Sequence, residues 1–152
     1  MRTLEEIKAG PLRLYSFVNY YLSDLQRGLQ TAHLVAELFT NYFDKENCLY
    51  PHSEDRYDEL FLWANAHKTI IILNGGNSQN LESISDILDQ KCFNYPYMSF
   101  YEDKESLNCA ITCVGLIFPE FTKQDVEYYA DVADGVDNFI DLMRLIRSYP
   151  LA

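Results

Sequence analysis

The chain lacks long apolar runs and is poor in cations. No stretch of its 152 residues approaches the roughly 20 consecutive apolar residues that span a bilayer, so we expect no membrane contact. Lysine and arginine number 12 against 23 aspartates and glutamates, and the formal net charge is −11. Because this field repels phosphate on average, general nucleic-acid binding is disfavoured, and only a local basic patch in the N-terminal quarter would meet a phosphate.

Cysteine and histidine are too scattered to form a dedicated metal site. The four cysteines, at positions 48, 92, 109 and 113, lack the close paired spacing of zinc ligands, and no two histidines stand at ligand spacing. We therefore predict no metal and no cofactor. The chain begins without a secretory signal, so the cysteines are interpreted as reduced thiols of a cytoplasmic protein. A serine nucleophile elbow is also absent, which disfavours a serine triad.

Apolar and aromatic residues are abundant, at 48% and 14% of the chain, and predict a packed globule. With no repeat and no long linker, one domain over 1–152 is expected. Strands are predicted near 12–20, 69–77, 97–102 and 109–118, and helices near 23–43, 54–66, 80–90 and from 122 onward. This order predicts an α/β fold: a single three-layer domain with a mixed sheet of about four strands and helices on both faces.

The segment 23–43 predicts a long helix that carries most of the candidate site. Ser23 and Gln26 have the spacing of a capping box. Apolar residues at alternating spacings of three and four predict the core-facing stripe, which comprises Leu25, Leu29, Ala32, Ala36, Phe39 and Phe43. The run 69–77, with four large aliphatic residues before Asn-Gly-Gly-Asn, predicts a strand buried on both faces and then a turn.

A polar stripe follows the same helix at positions 26, 30, 33 and 37, which are neighbours on one face. Glu37 lies one turn after His33, and a carboxylate beside an imidazole orients the ring for proton transfer. On spacing alone, a boundary histidine that bonds its neighbours remains the more common interpretation. Asp103 (or Glu102) at one strand end and Thr112 on the next strand form a second candidate region, since a carboxylate beside a hydroxyl can position water.

These pieces together resemble the type II peptidyl-tRNA hydrolase family over residues 12–119. The family's Gln-x-x-His on the first long helix is matched by Gln30 and His33, and its aspartate, strand threonine and nearby proline by Asp103, Thr112 and Pro119. A tryptophan-containing helix before a hydrophobic strand is similar to the segment 63–73. The resemblance implies a small α/β hydrolase that cuts the ester between a peptide and tRNA, with 120–152 as a C-terminal helical extension.

The sequence departs from the family where the family has a Gly-Lys pair. Leu25 and Gln26 occupy those positions, and Arg27 is the nearest cation. Arginine can bind phosphate but cannot donate a proton as lysine does. The resemblance therefore implies His33, Asp103, Thr112 and Glu37 as the catalytic set. It implies Gln30, Gln26 and Arg27 as substrate-binding residues, the substrate being a tRNA-linked or nucleotide ester.

Two other interpretations stay open. The first is a non-catalytic protein on the same fold, with an acidic, tyrosine-rich surface that binds a basic protein or a small nucleotide. The tyrosines in question lie at positions 50, 57, 95, 97, 101, 128 and 129. The second is a homodimer built on the apolar face of the final helix.

Overall fold

The structure of the chain is a computed structural model that describes residues 1–43, 54–102 and 110–152. Its elements, in chain order, are α1 (Leu4–Lys8), β1 (Leu12–Val18), α2 (Asp24–Phe43), α3 (Glu54–Leu62) with a π-helical turn (Trp63–His67), β2 (Ile70–Asn74), α4 (Ser78–Lys91), β3 (Tyr97–Tyr101), β4 (Ile111–Pro119), α5 (Lys123–Tyr128) and α6 (Asn138–Arg147). The predicted mixed α/β order is confirmed, and α1 is an addition to it.

The four strands form one sheet in the order β2-β1-β4-β3. β1 runs parallel to β2 and antiparallel to β4, while β3 is antiparallel to β4. All nine residues of β4 are buried, so β4 rather than β2 is the strand most enclosed by the fold. The parallel pair places the carboxyl ends of β1 and β2 at the same end of the sheet, together with the start of β4.

Helices cover both faces of the sheet, as predicted. One core contains Leu34 and Leu38 of α2 and Leu60 of α3, packed with side chains such as Ile117 of β4. The other core contains the inward side chains of α4 and α6, packed with side chains such as Leu116. Neighbouring residues of β4 thus enter opposite cores, because successive side chains of a strand point to opposite faces.

The predicted core stripe of α2 is wrong at its first four positions, whereas Phe39 is half-buried and packs against the core. Leu25 and Leu29 are 75% and 50% exposed, and Ala32 and Ala36 are exposed as well. The face that packs on the sheet is the opposite one, formed by Thr31, Leu34, Leu38 and Tyr42. Both faces have apolar residues at helical spacing, so periodicity alone did not identify the buried face.

The prediction that β2 is buried on both faces is also wrong. β2 is an edge strand, and Ile70 is 44% exposed. Its free edge is covered by residues 150–152: Asn74 N donates to Pro150 O at 2.8 Å, and Ala152 N donates to Ile72 O at 3.0 Å. This pairing provides hydrogen-bond partners for an edge that would otherwise face solvent.

The apolar face of α6 packs inside the same chain. Phe139, Ile140, Leu142, Met143 and Ile146 all belong to the core shared with α4. This face is therefore occupied within the monomer and offers no basis for a homodimer built on the final helix. The part of the chain that the structure describes contains no helix long and apolar enough to cross a membrane.

Candidate functional site

The polar candidates gather at the end of the sheet where β1 and β2 terminate and β4 begins. Asn19, directly after β1, donates its backbone N–H to Thr112 O at 3.1 Å. Its side-chain Nδ2 donates to Ser78 Oγ at the start of α4, at 3.3 Å. Asn19 thus joins three elements at the carboxyl end of the parallel pair. In α/β sheets the crevice outside these strand ends is the usual place for a ligand.

A β-bulge determines the direction of the Thr112 side chain. On β3, Phe100 pairs with Cys113 and Tyr101 pairs with Ile111, so Thr112 is the extra residue of β4 at this point. The bulge lets the neighbouring side chains of Thr112 and Cys113 both bond to groups on the α2 side: Thr112 to Gln30, and Cys113 to Ser16. Bulges of this kind often re-aim a side chain next to an active site.

Gln30 connects the two halves of the predicted site. Thr112 Oγ1 donates to Gln30 Oε1 at 3.4 Å, although the two residues are 82 positions apart. Nδ1 of His33 lies 3.3 Å from the same Gln30 oxygen. An amide oxygen only accepts hydrogen bonds, so a bond to Gln30 Oε1 requires the donor to be N–H at Nδ1 of His33; in the tautomer that has its proton there, Nε2 is the acceptor. The structure therefore brings together Gln30, His33 and Thr112, as the sequence predicted.

His33 is exposed, and its ring is supported by Phe100 of β3 at 4.9 Å between ring centroids, with an interplanar angle of 47°. Glu37, predicted to orient this histidine, instead accepts from Asn41 Nδ2 at 3.2 Å. Among the described residues, no hydrogen bond joins Glu37 to His33. The orientation of the imidazole is therefore provided by Gln30 and Phe100.

Gln26 forms the helix cap that its spacing predicted. Ser23 N donates to Gln26 Oε1 at 3.0 Å, and Gln26 N donates to Ser23 Oγ at 3.3 Å. These two bonds satisfy backbone N–H groups at the start of α2, because no preceding turn of helix provides carbonyl acceptors for them. The side chain of Gln26 is consequently engaged in the fold of the helix in this structure, and its predicted contact with substrate stays a prediction.

Arg27 is the cation nearest to this cluster along α2. Its side chain is 21% exposed and bonds through Nη1 to Asp24 Oδ1 at 3.3 Å, while the Asp24 side chain is fully exposed. In the described part of the chain, Nε of Arg27 is buried without a hydrogen-bond partner. A buried guanidinium nitrogen without a partner is costly to the folded state.

The Asn74-Gly75-Gly76-Asn77 segment is a turn whose amides are already bonded. Gly75 N donates to Val18 O at 2.8 Å, and Gly76 N donates to Asn74 Oδ1 at 3.0 Å. Asn77 and Asn80 form a capping box at the start of α4. Glycine is required at position 76, where φ is +83°. The interpretation of this segment as a plain turn is confirmed.

A buried polar cluster beneath the site fixes α2 against the sheet. Ser16 Oγ of β1 lies 2.9 Å from Thr31 Oγ1 of α2 and 3.1 Å from Cys113 Sγ of β4. All three residues are essentially inaccessible, and burial raises the pKa of the Cys113 thiol to about 12. Such a thiol is protonated at neutral pH and is no nucleophile. Because Thr31 follows Gln30 directly, this cluster also positions the candidate site.

Asp103, the remaining predicted catalytic residue, lies outside the described residues, as do Cys48 and Cys109. The described ranges contain no group of three or more histidines, cysteines or acidic residues placed to hold a metal ion. Asn19 and Phe100 are members of the site that sequence reasoning missed. Both owe their place to strand register, which no short motif reveals.

The tyrosines of the proposed acidic surface divide between core and exterior. Tyr97 is buried, and Tyr95 packs against Phe118 with ring centroids 5.0 Å apart. Tyr101 and Tyr128 are about half exposed, at 50% and 53%. A different aromatic pair lies beside the candidate site: Tyr20 and Tyr21 directly follow Asn19, and their ring centroids are 4.0 Å apart.

Comparison with known proteins does not assign this arrangement. No protein-family model matches the chain, and the search of curated proteins finds no match of significance.

Proposed function

We propose that the chain is a divergent peptidyl-tRNA hydrolase-like enzyme that hydrolyses the ester between a peptide or acyl group and tRNA, or a related nucleotide ester. The observation that carries this proposal is the convergence of His33 Nδ1 and Thr112 Oγ1 on Gln30 Oε1. A glutamine that holds the Nδ1 proton leaves Nε2 of the imidazole free to accept a proton from water. That is the requirement for general-base hydrolysis of an ester.

In the proposed reaction, His33 Nε2 takes a proton from a water molecule as the water oxygen bonds to the ester carbonyl carbon. The bond from that carbon to the ribose oxygen then breaks, and the departing oxygen receives the proton from His33. Thr112 holds Gln30 in place, and Asp103 stays the proposed partner for the water. The exposed side chain of Leu29, one turn before His33 on α2, offers an apolar contact for the acyl group.

Arg27 would bind a phosphate of the substrate. Its single ion pair is to a fully exposed Asp24, and exposed pairs of this kind contribute little, about 0–1 kcal/mol. Substrate phosphate would therefore replace Asp24 on the guanidinium at small cost. One arginine on an acidic protein gives modest affinity, so the proposed activity should fall steeply as salt is added.

The test is release of N-acetylated amino acid from acylated tRNA at low salt. Wild type should turn over, and His33→Ala and Asp103→Ala should each lower the rate about 100-fold if they act as general acid or base. Gln30→Ala should also lower the rate, because it removes the oxygen that both His33 and Thr112 contact. Gln90→Ala, an exposed substitution on α4, is its matched control and should turn over as wild type does. Turnover that persists in both His33→Ala and Asp103→Ala would remove the proposed mechanism.

A second candidate function is non-catalytic binding of a nucleotide on the same fold, and the exposed Tyr20–Tyr21 pair, whose rings are tilted by 32°, favours it. The two rings are 43% and 77% exposed, and Tyr20 N donates to Gly76 O, in the turn after β2, at 2.9 Å. Stacking of a base on an aromatic ring contributes about 1–3 kcal/mol.

Fluorescence titration with adenosine monophosphate tests the binding function. Tyr21→Ala should weaken binding, whereas Tyr128→Ala, which removes a comparably exposed tyrosine that contacts Tyr129, should not. Saturable binding by a wild type without turnover would favour the binding function. Absence of both turnover and nucleotide binding would contradict both candidates.

A further inference from the structure

A cavity lies on the face of the sheet that α6 covers, opposite to the face on which α2 packs. Its volume is about 430 Å³, within the range of small-molecule sites. Its apolar walls come from β1, from β2, from the segment just before α5 and from the segment just after α6. They include, in that order, Tyr15, Ile71, Phe121 and Tyr149. Residues 150–152, which pair with the edge of β2, close one side.

The rings that line this cavity are held in place by other rings. Tyr15 lies 5.9 Å from Phe121, and Tyr149 meets Phe17 edge to face at 5.3 Å between centroids. Burial raises the pKa of both Tyr15 and Tyr149 above the ordinary value, so both hydroxyls are neutral at physiological pH. The aromatic walls therefore add no negative charge to the cavity.

The charged residues at the cavity are mostly cations, in contrast to the rest of the chain. Arg13, Lys123 and Arg147 line it, against the single carboxylate of Glu120. The cavity lining thus contains three of the chain's 12 lysines and arginines and one of its 23 acidic residues. This is a local excess of two positive charges in a chain of net charge −11. A cleft lined by one sign of charge concentrates the field and favours a ligand of the other sign.

Two of these three cations are available to a ligand. Arg13 is already paired with Glu120 at 2.8 Å. Lys123 is 68% exposed and has a long 3.7 Å contact to Glu127. Arg147 has no ion-pair partner among the described residues. Both are exposed, and neither is buried in the core, so their charge can be removed without disturbing the packing.

We propose that this cavity binds a small amphipathic anion: a planar apolar body between the aromatic walls, with its negative head held by Lys123 and Arg147. The site is separate from the Gln30–His33–Thr112 cluster, since it lies on the other face of the sheet and shares no residue with it. The binding does not depend on the proposed hydrolase function, and it would stand if that function failed.

The probe is 2-naphthoate, titrated into the full chain by isothermal titration calorimetry at low salt. Wild type should bind one equivalent. The Lys123→Gln/Arg147→Gln double variant should bind at least tenfold more weakly. Lys8→Gln, which removes one positive charge on α1 outside the cavity, should bind within twofold of wild type. The uncharged analogue 2-naphthalenemethanol should bind at least tenfold more weakly than the acid.

Ile71→Trp, which adds bulk inside the cavity rather than changing charge, should also abolish naphthoate binding. Circular dichroism establishes that each variant is folded. The proposal is overturned if wild type shows no saturable binding. It is also overturned if the acid and the alcohol bind equally well, or if the double variant binds as wild type does.

Discussion

The Ser16–Thr31–Cys113 cluster gives the sharpest prediction for the link between fold and site. Ser16 Oγ is the central atom, 2.9 Å from the Thr31 hydroxyl and 3.1 Å from the Cys113 thiol, and no member is more than 2% exposed. Thr31→Val keeps the shape of the side chain and removes its hydroxyl. Ser16 then retains only the thiol, which is a weak hydrogen-bond partner.

The cost can be worked from these contacts. Thr31→Val loses one hydrogen bond and leaves a buried hydroxyl poorly satisfied, so the free energy of unfolding should fall by about 1–3 kcal/mol. Ser16→Ala should cost a similar amount, because it removes the central hydroxyl and leaves the other two groups. The Ser16→Ala/Thr31→Val double variant removes both partners of the 2.9 Å bond together. Its loss in free energy of unfolding should therefore be smaller than the sum of the two single-variant losses by about 1 kcal/mol or more.

Urea unfolding monitored by Trp63 fluorescence measures all four proteins of this cycle. Thr40→Val, on the exposed side of the same helix, is the matched control and should change the free energy by less than about 0.5 kcal/mol. Additivity of the two core substitutions within about 0.3 kcal/mol would refute the reasoning, and so would a Thr31→Val variant as stable as Thr40→Val.

Three further predictions concern packing, pH and thiol reactivity. Gly115→Ala should destabilise by about 1–3 kcal/mol in thermal or urea unfolding, because the added Cβ would lie 2.5 Å from Leu34 Cδ2. Burial acts to raise the pKa of Asp125, but hydrogen bonds from Arg2 and from the helix cap outweigh it and lower that pKa below 3.8. The contribution of ionised Asp125 to the free energy of unfolding should therefore be full at neutral pH and lost as the pH falls through the lowered pKa. Asp125→Asn should flatten this pH dependence when stability is measured in an acid titration. Cys113 should resist alkylation at pH 8 until urea unfolds the chain, as peptide mapping would show.

Local signals predicted the start of the long helix α2. The cap formed by Ser23 and Gln26 depends on residues three positions apart and occurs as predicted. Thr122 and Asp125 form a cap of the same spacing at the start of α5. The buried face of α2 was not predictable in the same way, because its choice depends on a partner on another element. Thr31 faces the sheet since Ser16 is there to bond it, and no pattern within the helix contains that information.

In the candidate site, too, contacts within one helix were predictable and contacts between elements were not. Gln30 and His33 are neighbours on one helix, so their proximity follows from spacing. The contact between Gln30 and Thr112 depends on the order of strands and on the bulge opposite Phe100. A bulge adds one residue to a strand without any fixed residue type, so the sequence gives no sign of it. Asn19 and Phe100 reach the site through the same non-local pairing.

The residue at the start of α2 where the resemblance would place a lysine has a structural role of its own. The position that the resemblance assigns to lysine is occupied by Gln26, whose Oε1 accepts from Ser23 N in the capping box. A lysine has no acceptor atom and could not form this bond. In the proposed hydrolase, the positive charge passes to Arg27, one residue further on, whose ion pair with the fully exposed Asp24 a phosphate would replace.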